Sequence, residues 1–349
     1  MSIATPSRLD HVQALRGLAA MLVLLAHLAL IERRSLADPF LPVSMEWGMM
    51  GVDLFFVISG FIMVFVTRDW RGGGGGVPEF LFARATRIYP LYWVVTAALL
   101  LVWVVRPDLV FSSSPNDPQW LNTLLLVPSA AYPLLEVGWT LVYEMMFYVL
   151  FALILFLPAK VRPAGLAVWA AAVIVGHVGG WQAAGALAFH LFSPLTLEFL
   201  AGTAVALIYL RMRGNRTVAF ALVLAGLAGL AVWFFIGGAF QDQGARVLRL
   251  TLPACALLLG AAWLDRHGAT APAFAVRLGD WSYSLYLTHL LSLVLVEKLW
   301  GLAGLEGLPA PVFLIVAVGT ALVIAALTYR LIEKPLIDRA RGARKRLFP

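Results

Sequence analysis

Charge is scarce in this sequence. Only 13% of its 349 residues are Asp, Glu, Lys or Arg, about half the 25% share of an ordinary soluble domain, and 61% are hydrophobic. That composition excludes a water-soluble globule, because one aqueous core cannot hide so much apolar surface. The bilayer has to be the solvent. Cysteine is nearly missing too. The single Cys255 sits in an apolar run, so an intrachain disulfide is excluded and a small packing residue is expected. There is no Cys/His cluster at metal-ligand spacing and no glycine-rich phosphate loop ahead of a helix, which argues against a metal centre and a P-loop. The run Gly72 to Gly76 reads as a flexible connector. No Gly-x-Ser-x-Gly elbow appears, and Ser59-Gly60 in its apolar setting reads as a packing site. The net charge of +7 does not gather into a patch for nucleic acid, because the basic residues are spread between apolar runs.

What is present is a series of apolar segments of about 17–25 residues, the length that crosses a bilayer as a helix. Ten are expected: 12–31, 48–66, 88–105, 137–157, 164–180, 190–210, 217–237, 247–264, 281–300 and 311–332. The expected fold class is all-α, a polytopic bundle of about ten transmembrane helices forming one membrane domain over 1–349, with a short tail at 338–349. The first segment follows Arg8 and Arg16 and is closely followed by a second, so it reads as a retained helix and not a signal peptide. The longest connection, 106–136, is polar at Ser112 to Pro118, and its apolar patch Leu124–Val127 is expected to approach the membrane interface.

Lys and Arg set the orientation. With both termini in the cytoplasm, Arg33, Arg34, Arg106, Arg246, Arg249 and Lys298 are the six outward-side residues among the 26 basic ones. This bias predicts cytoplasmic termini and agrees with ten spans.

Ionisable side chains inside spans are costly and mark functional paths. Arg16 and His27 lie eleven residues apart, about three turns, so they share a helix face with a rise of about 16 Å between them. One end of a long ligand near Arg16 and the other near His27 would suit coenzyme A. Asp53 and Glu144, on the second and fourth spans, are expected near the depth of His27. There a carboxylate on one imidazole nitrogen would leave the other as a base. Arg84 and Arg87 share a face just before the third span and suit a phosphate. The ordinary reading of the pair is orientation bias. On the ninth span Ser282, Tyr286 and His289 form a polar stripe that either lines a tunnel or fastens helices. Glu333, with Lys334 and Arg330 beside it, is expected in a structural ion pair.

These residues carry a resemblance. Arg16-x10-His27 with Gly51-Val52-Asp53-Leu54-Phe55-Phe56-Val57-Ile58-Ser59-Gly60-Phe61 resembles the opening of the acyltransferase-3 family. Arg84-x-x-Arg87-Ile88-Tyr89-Pro90-Leu91-Tyr92-Trp93 is similar to its next block, and Gly138-Trp139-Thr140-Leu141-x-x-Glu144-x-x-Phe147-Tyr148 to its third. Tyr283 to His289 and Glu333-Lys334-Pro335-Leu336 resemble its closing signatures. The blocks stand in family order from residue 11 to 337 and look most like the branch that acetylates bacterial exopolysaccharides.

The resemblance implies a multi-pass enzyme of the bacterial inner membrane. It would use acetyl-CoA as acyl donor from the cytoplasmic side, with no permanently bound cofactor, and modify a polysaccharide or lipid-linked oligosaccharide at the outer side. On that reading Arg16, Arg84 and Arg87 bind the CoA head and His27 is the general base. Glu144, with Asp53, steadies the imidazole. Trp139 and Tyr143 offer a surface to the sugar, and Tyr286 and His289 line the acceptor side. An acetyl-histidine intermediate on His27 is a variant. Two rival classes are a proton-coupled transporter using His27, Asp53 and Glu144, against which no internal repeat is found, and a non-catalytic subunit of an assembly complex.

Overall fold

A computed structural model describes residues 8–36, 38–70, 74–107, 110, 119–237 and 242–348. Part of the Gly72–Gly76 connector and all of Ser112 to Pro118 lie outside the described residues. The described chain is helical and contains no strand. In order the helices are α1 (Asp10–Ser35), α2 (Met50–Val66), α3 (Val77–Val105), α4 (Trp120–Leu125), α5 (Trp139–Phe156), α6 (Arg162–Val178) and α7 (Ala186–Leu191). There follow α8 (Leu195–Arg211), α9 (Arg216–Ile236), α10 (Gln243–Arg266), α11 (Ala273–Leu302), α12 (Ala310–Thr328) and α13 (Lys334–Leu347). A π-helical turn, Tyr329–Glu333, joins the last two.

Nine helical stretches among the described residues, 21 to 38 residues long, are apolar enough to cross a membrane. The expected fifth span is a helix, α6, but at 17 residues, about 25 Å, it is shorter than the nine. Local chemistry explains several limits. The Asn215 side chain accepts from the Val218 N–H and starts α9, and Asp242 does the same for Ala245 in α10. Prolines occupy the opening turns of α3, α6 and α13, where the missing N–H costs nothing. Exposed Leu101, Val104, Phe235, Leu252 and Ile315 make surfaces suited to lipid.

The chain forms two compact units. The first comprises Met1–Arg68, Pro194–Tyr283 and Leu308–Leu314, and the second Asp69–Ser193, Ser284–Gly307 and Ile315–Pro349.

In the first unit, small residues let backbones touch. A Cβ on Gly60 would stand 1.8 Å from the Phe199 carbonyl oxygen, and one on Gly202 would stand 1.9 Å from that of Val57, so α2 and α8 cross on a reciprocal glycine contact. Phe56 and Phe199 stack beside it, ring centroids 4.4 Å apart. Gly48 and Gly51 press in the same way against the Leu22 and Ala19 carbonyls of α1. Gly226 and Gly229 of α9 admit Pro253 and Leu257 of α10.

In the second unit, α3 begins eleven residues earlier than the expected span, at Val77 and not at residue 88. The segment after it folds back along it. Tyr89 and Trp93 donate to the carbonyls of Leu125 and Leu124, and Tyr92 donates to that of Thr123. Residue 93 is twelve residues from the end of α3 at Val105, so α4 reaches about 18 Å back along that helix. The expectation for Leu124–Val127 was an interfacial patch. At that patch and just before it, the carbonyls of Thr123, Leu124 and Leu125 accept from aromatic donors of α3.

Candidate active site

In the first unit, α1 runs unbroken through both Arg16 and His27. The Nδ1 of His27 lies 2.9 Å from the carbonyl oxygen of Val23. A carbonyl only accepts, so Nδ1 carries the proton and donates. Nε2 then holds the lone pair, the form a general base needs. The ring is half-buried. A carbonyl one turn back on the same helix therefore sets the tautomer. Nearer the start of α1, Arg16 donates to Gln13, which in turn donates to Asp280.

Asp53 is placed differently from its expected role. Its two oxygens accept from Nε and Nη2 of Arg246 at 2.7 and 2.8 Å, a fork-on-fork pair. Both residues are buried, Asp53 to 1% and Arg246 to 6% exposure. Asp53 is thus a buried ion-pair partner of Arg246. Arg246, expected at the outer surface, is in α10 and closes this pair. Glu198 stands beside them and interacts electrostatically with both. Its two oxygens are buried and have no hydrogen-bond partner among the described residues. Asp53 and Glu198 occupy the first turns of α2 and α8, where the helix dipole favours negative charge by up to about 2 kcal/mol. That is less than the several kcal/mol needed to bury a carboxylate, so the arrangement depends on Arg246.

In the second unit the two arginines of α3 divide. Both lie two to three turns inside the helix, where a sequence reading placed them ahead of the span. Arg84 makes no hydrogen bond or ion pair among the described residues, and its Nε is buried without a partner. Its guanidinium is 5.9 Å from the ring centroids of both Phe80 and Tyr148, within reach of a cation–π contact. Arg87 is paired: its Nη1 donates to Oε1 of Glu333 at 2.5 Å. The Oγ of Ser284 donates to the other oxygen of Glu333 at 2.5 Å. Glu333, expected beside Lys334 and Arg330, is instead joined to an arginine 246 positions away in sequence.

Glu144 accepts a short hydrogen bond from Tyr148, one turn along α5. The ring of Tyr148 is the same one that faces Arg84. Trp139 and Tyr143 belong to an aromatic ladder. Tyr132 and Trp139 are 6.5 Å apart, Trp139 and Tyr143 6.0 Å, and Tyr143 and His190 4.8 Å. It runs from exposed Tyr132 to buried His190. The Tyr286 hydroxyl lies 2.9 Å from the Val137 carbonyl oxygen and 2.7 Å from the Thr140 hydroxyl, which ties α11 to the start of α5. His289 is buried and its Nδ1 donates to backbone carbonyls of Leu285 and Tyr286. His27 belongs to the first unit, and Glu144, Arg84 and the ladder belong to the second.

Sequence reasoning missed Arg246 and Glu198 as buried charges, and Ser284 and His190 as polar contacts. A usable signal existed for Glu198, which lies inside the expected span 190–210 where a charge is expensive, while Arg246 falls just ahead of the expected span 247–264. No metal-binding cluster of His, Cys, Asp or Glu occurs among the described residues.

The described residues are helical, with nine stretches apolar enough to cross a membrane, and this protein is a membrane-bound O-acyltransferase. The acyltransferase domain of the acyltransferase-3 type matches residues 9–330, and the chain belongs to that family. It is 36% identical over 309 residues to the exopolysaccharide production protein ExoZ of Rhizobium meliloti, which covers 85% of this chain and 92% of that protein. It is 29% identical over 332 residues to the acyltransferase MdmB of Streptomyces mycarofaciens, with 84% and 81% covered. With the O-acetyltransferase OatA of Staphylococcus aureus it shares 23% identity, over 95% of this chain and 58% of that protein. No solved structure matches the chain.

Proposed function

We propose that this protein transfers an acyl group, acetyl in the first instance, from acyl-CoA to a hydroxyl of a cell-surface polysaccharide or its lipid-linked precursor, with His27 as general base. The observation that carries the reading is the hydrogen bond from His27 Nδ1 to the Val23 carbonyl, which leaves Nε2 as the basic nitrogen. The acceptor oxygen attacks the thioester carbonyl as Nε2 takes its proton. The tetrahedral adduct then collapses, the C–S bond breaks, and the proton passes from His27 to the leaving thiolate. A positioned base of this kind contributes about 10²–10⁴-fold.

Arg84, a guanidinium lacking an anionic partner among the described residues, supports a donor with a polyphosphate head. Arg16 and Arg87 are assigned to donor binding as well. Glu144, bonded by Tyr148, is the carboxylate assigned to the acid–base chemistry. Trp139 and Tyr143 are assigned to the sugar, and Tyr286 and His289 to shaping its surroundings. The exopolysaccharide and O-acetyl relatives support the choice of acceptor and of acetyl. The distribution of Lys and Arg supports cytoplasmic termini and an inner-membrane location with the donor on the cytoplasmic side.

Deleting the gene and recording NMR spectra of the surface polysaccharide tests the reading. The expected result is loss of acyl signals, restored by the wild-type gene. Spectra unchanged by the deletion would end it.

A further inference from the structure

Arg84 and Arg87 are one turn apart on α3, but they are held by different means. Arg84 lies 5.9 Å from the centroids of two aromatic rings, Phe80 and Tyr148. Arg87 is gripped by a carboxylate that is itself gripped. Glu333 is 2% exposed, one oxygen accepts from Arg87, and the other accepts from Ser284. With both oxygens engaged, the plane of the carboxylate is fixed. With Nη1 engaged, rotation of the Arg87 guanidinium is restricted.

Three separated stretches of chain build this grip: α3, α11 and the π-helical turn Tyr329–Glu333. A π turn adds a residue to the helical circuit and changes the face that its last side chain occupies. Such turns are rare and concentrate at functional sites. Stability alone explains the arrangement poorly. Burying a carboxylate to pair with an arginine is often no better than packing apolar groups of the same shape, and what it does provide is a defined geometry. Arg87 is 26% exposed on its side chain while Glu333 is sequestered. The pair is thus one-sided: the acid is buried and the base reaches solvent.

We propose that Glu333, anchored by Ser284, is a positioning residue for the acyl donor: it holds Arg87 one turn from Arg84 so that both guanidinia meet one polyanionic head group. This rests on the donor reading above. The division of labour follows from the contacts. Arg84 brings uncompensated charge, and Arg87 brings donors in a fixed direction.

Acetyl-CoA binding to the purified full-length protein in detergent, measured by titration calorimetry beside a thermal melt, tests the proposal. Glu333→Gln keeps the shape and removes the charge-assisted bond. It is expected to weaken acetyl-CoA binding by roughly tenfold, the scale of one such bond, with the melting midpoint unchanged. Ser284→Ala leaves the ion pair but frees the carboxylate to rotate, and is expected to weaken binding by about two- to threefold. If Glu333→Gln and Ser284→Ala bind as tightly as wild type, the pair merely supports the fold and the proposal is overturned. If Glu333→Gln does not fold, Ser284→Ala decides alone. A separate outcome concerns the underlying reading: wild type that fails to bind acetyl-CoA, or Arg84→Gln that binds it normally, overturns the donor assignment itself.

Discussion

Arg84 and Arg87 occupy successive turns of one helix, yet Arg87 is joined to a buried carboxylate and Arg84 to none among the described residues. The same residue type in one short motif therefore does two things. An arginine whose charge is already matched adds geometry, and one whose charge is unmatched attracts anions.

Arg84→Gln is therefore expected to lower acetyl transfer by about ten- to a hundredfold, the loss of one to two charge-assisted bonds. The melting midpoint should hold, because no partner is left unsatisfied. Arg84→Lys should restore little, since an ammonium lacks the forked donors of a guanidinium. Transfer rates and melting curves of the purified variants check both. A normal rate for Arg84→Gln would remove this residue from the donor site.

His27→Ala should reduce transfer by about 10²–10⁴-fold while the protein still inserts and melts normally. His27→Gln should not recover it, because an amide does not take up a proton at neutral pH. Acetyl content of the polysaccharide, scored by NMR in a complemented deletion strain, gives the answer. Full acetylation by His27→Ala would discard both direct and covalent roles.

The Asp53–Arg246 pair predicts a non-additive pattern. Arg246→Met alone leaves the Asp53 carboxylate buried beside Glu198 without its counter-charge. It should cost about 3–5 kcal/mol, visible as poor expression and an early melt. Adding Asp53→Asn and Glu198→Gln to it removes the uncompensated charges and should recover most of the loss. Independent, summed losses would show that the three do not act as one cluster.

The α2–α8 crossing predicts a packing defect. Gly60→Ala puts a methyl group 1.8 Å from the Phe199 carbonyl oxygen, which forces the helices apart at a cost of roughly 1–3 kcal/mol. Gly202→Ala should behave alike. Gly75→Ala, where a Cβ meets nothing within 4 Å, is the silent comparison. Thermal melts in detergent separate the three, and an unchanged midpoint for Gly60→Ala would contradict the contact.

Much of the architecture is readable from residue order. Each of the ten apolar runs forms a helix, because in lipid a backbone without water must bond to itself, and a run of sufficient length has one way to do that. The limits are less readable. α3 starts ahead of its apolar run because Glu79, Arg84 and Arg87 break the run without breaking the helix. The way the segment 119–127 folds back along α3 is not readable from residue order, since the donors to its carbonyls, Tyr89, Tyr92 and Trp93, lie some thirty residues earlier.

For the candidate site, residue order alone places Arg16 and His27 on one helix at a known rise, and Arg84 and Arg87 one turn apart, because both are matters of helical period within a single segment. It does not say which charge meets which. Asp53 takes Arg246 and Arg87 takes Glu333, across 193 and 246 residues of chain. Pairings of that span are settled by how the helices pack, since a buried charge must accept whichever opposite charge the packing brings within bonding distance.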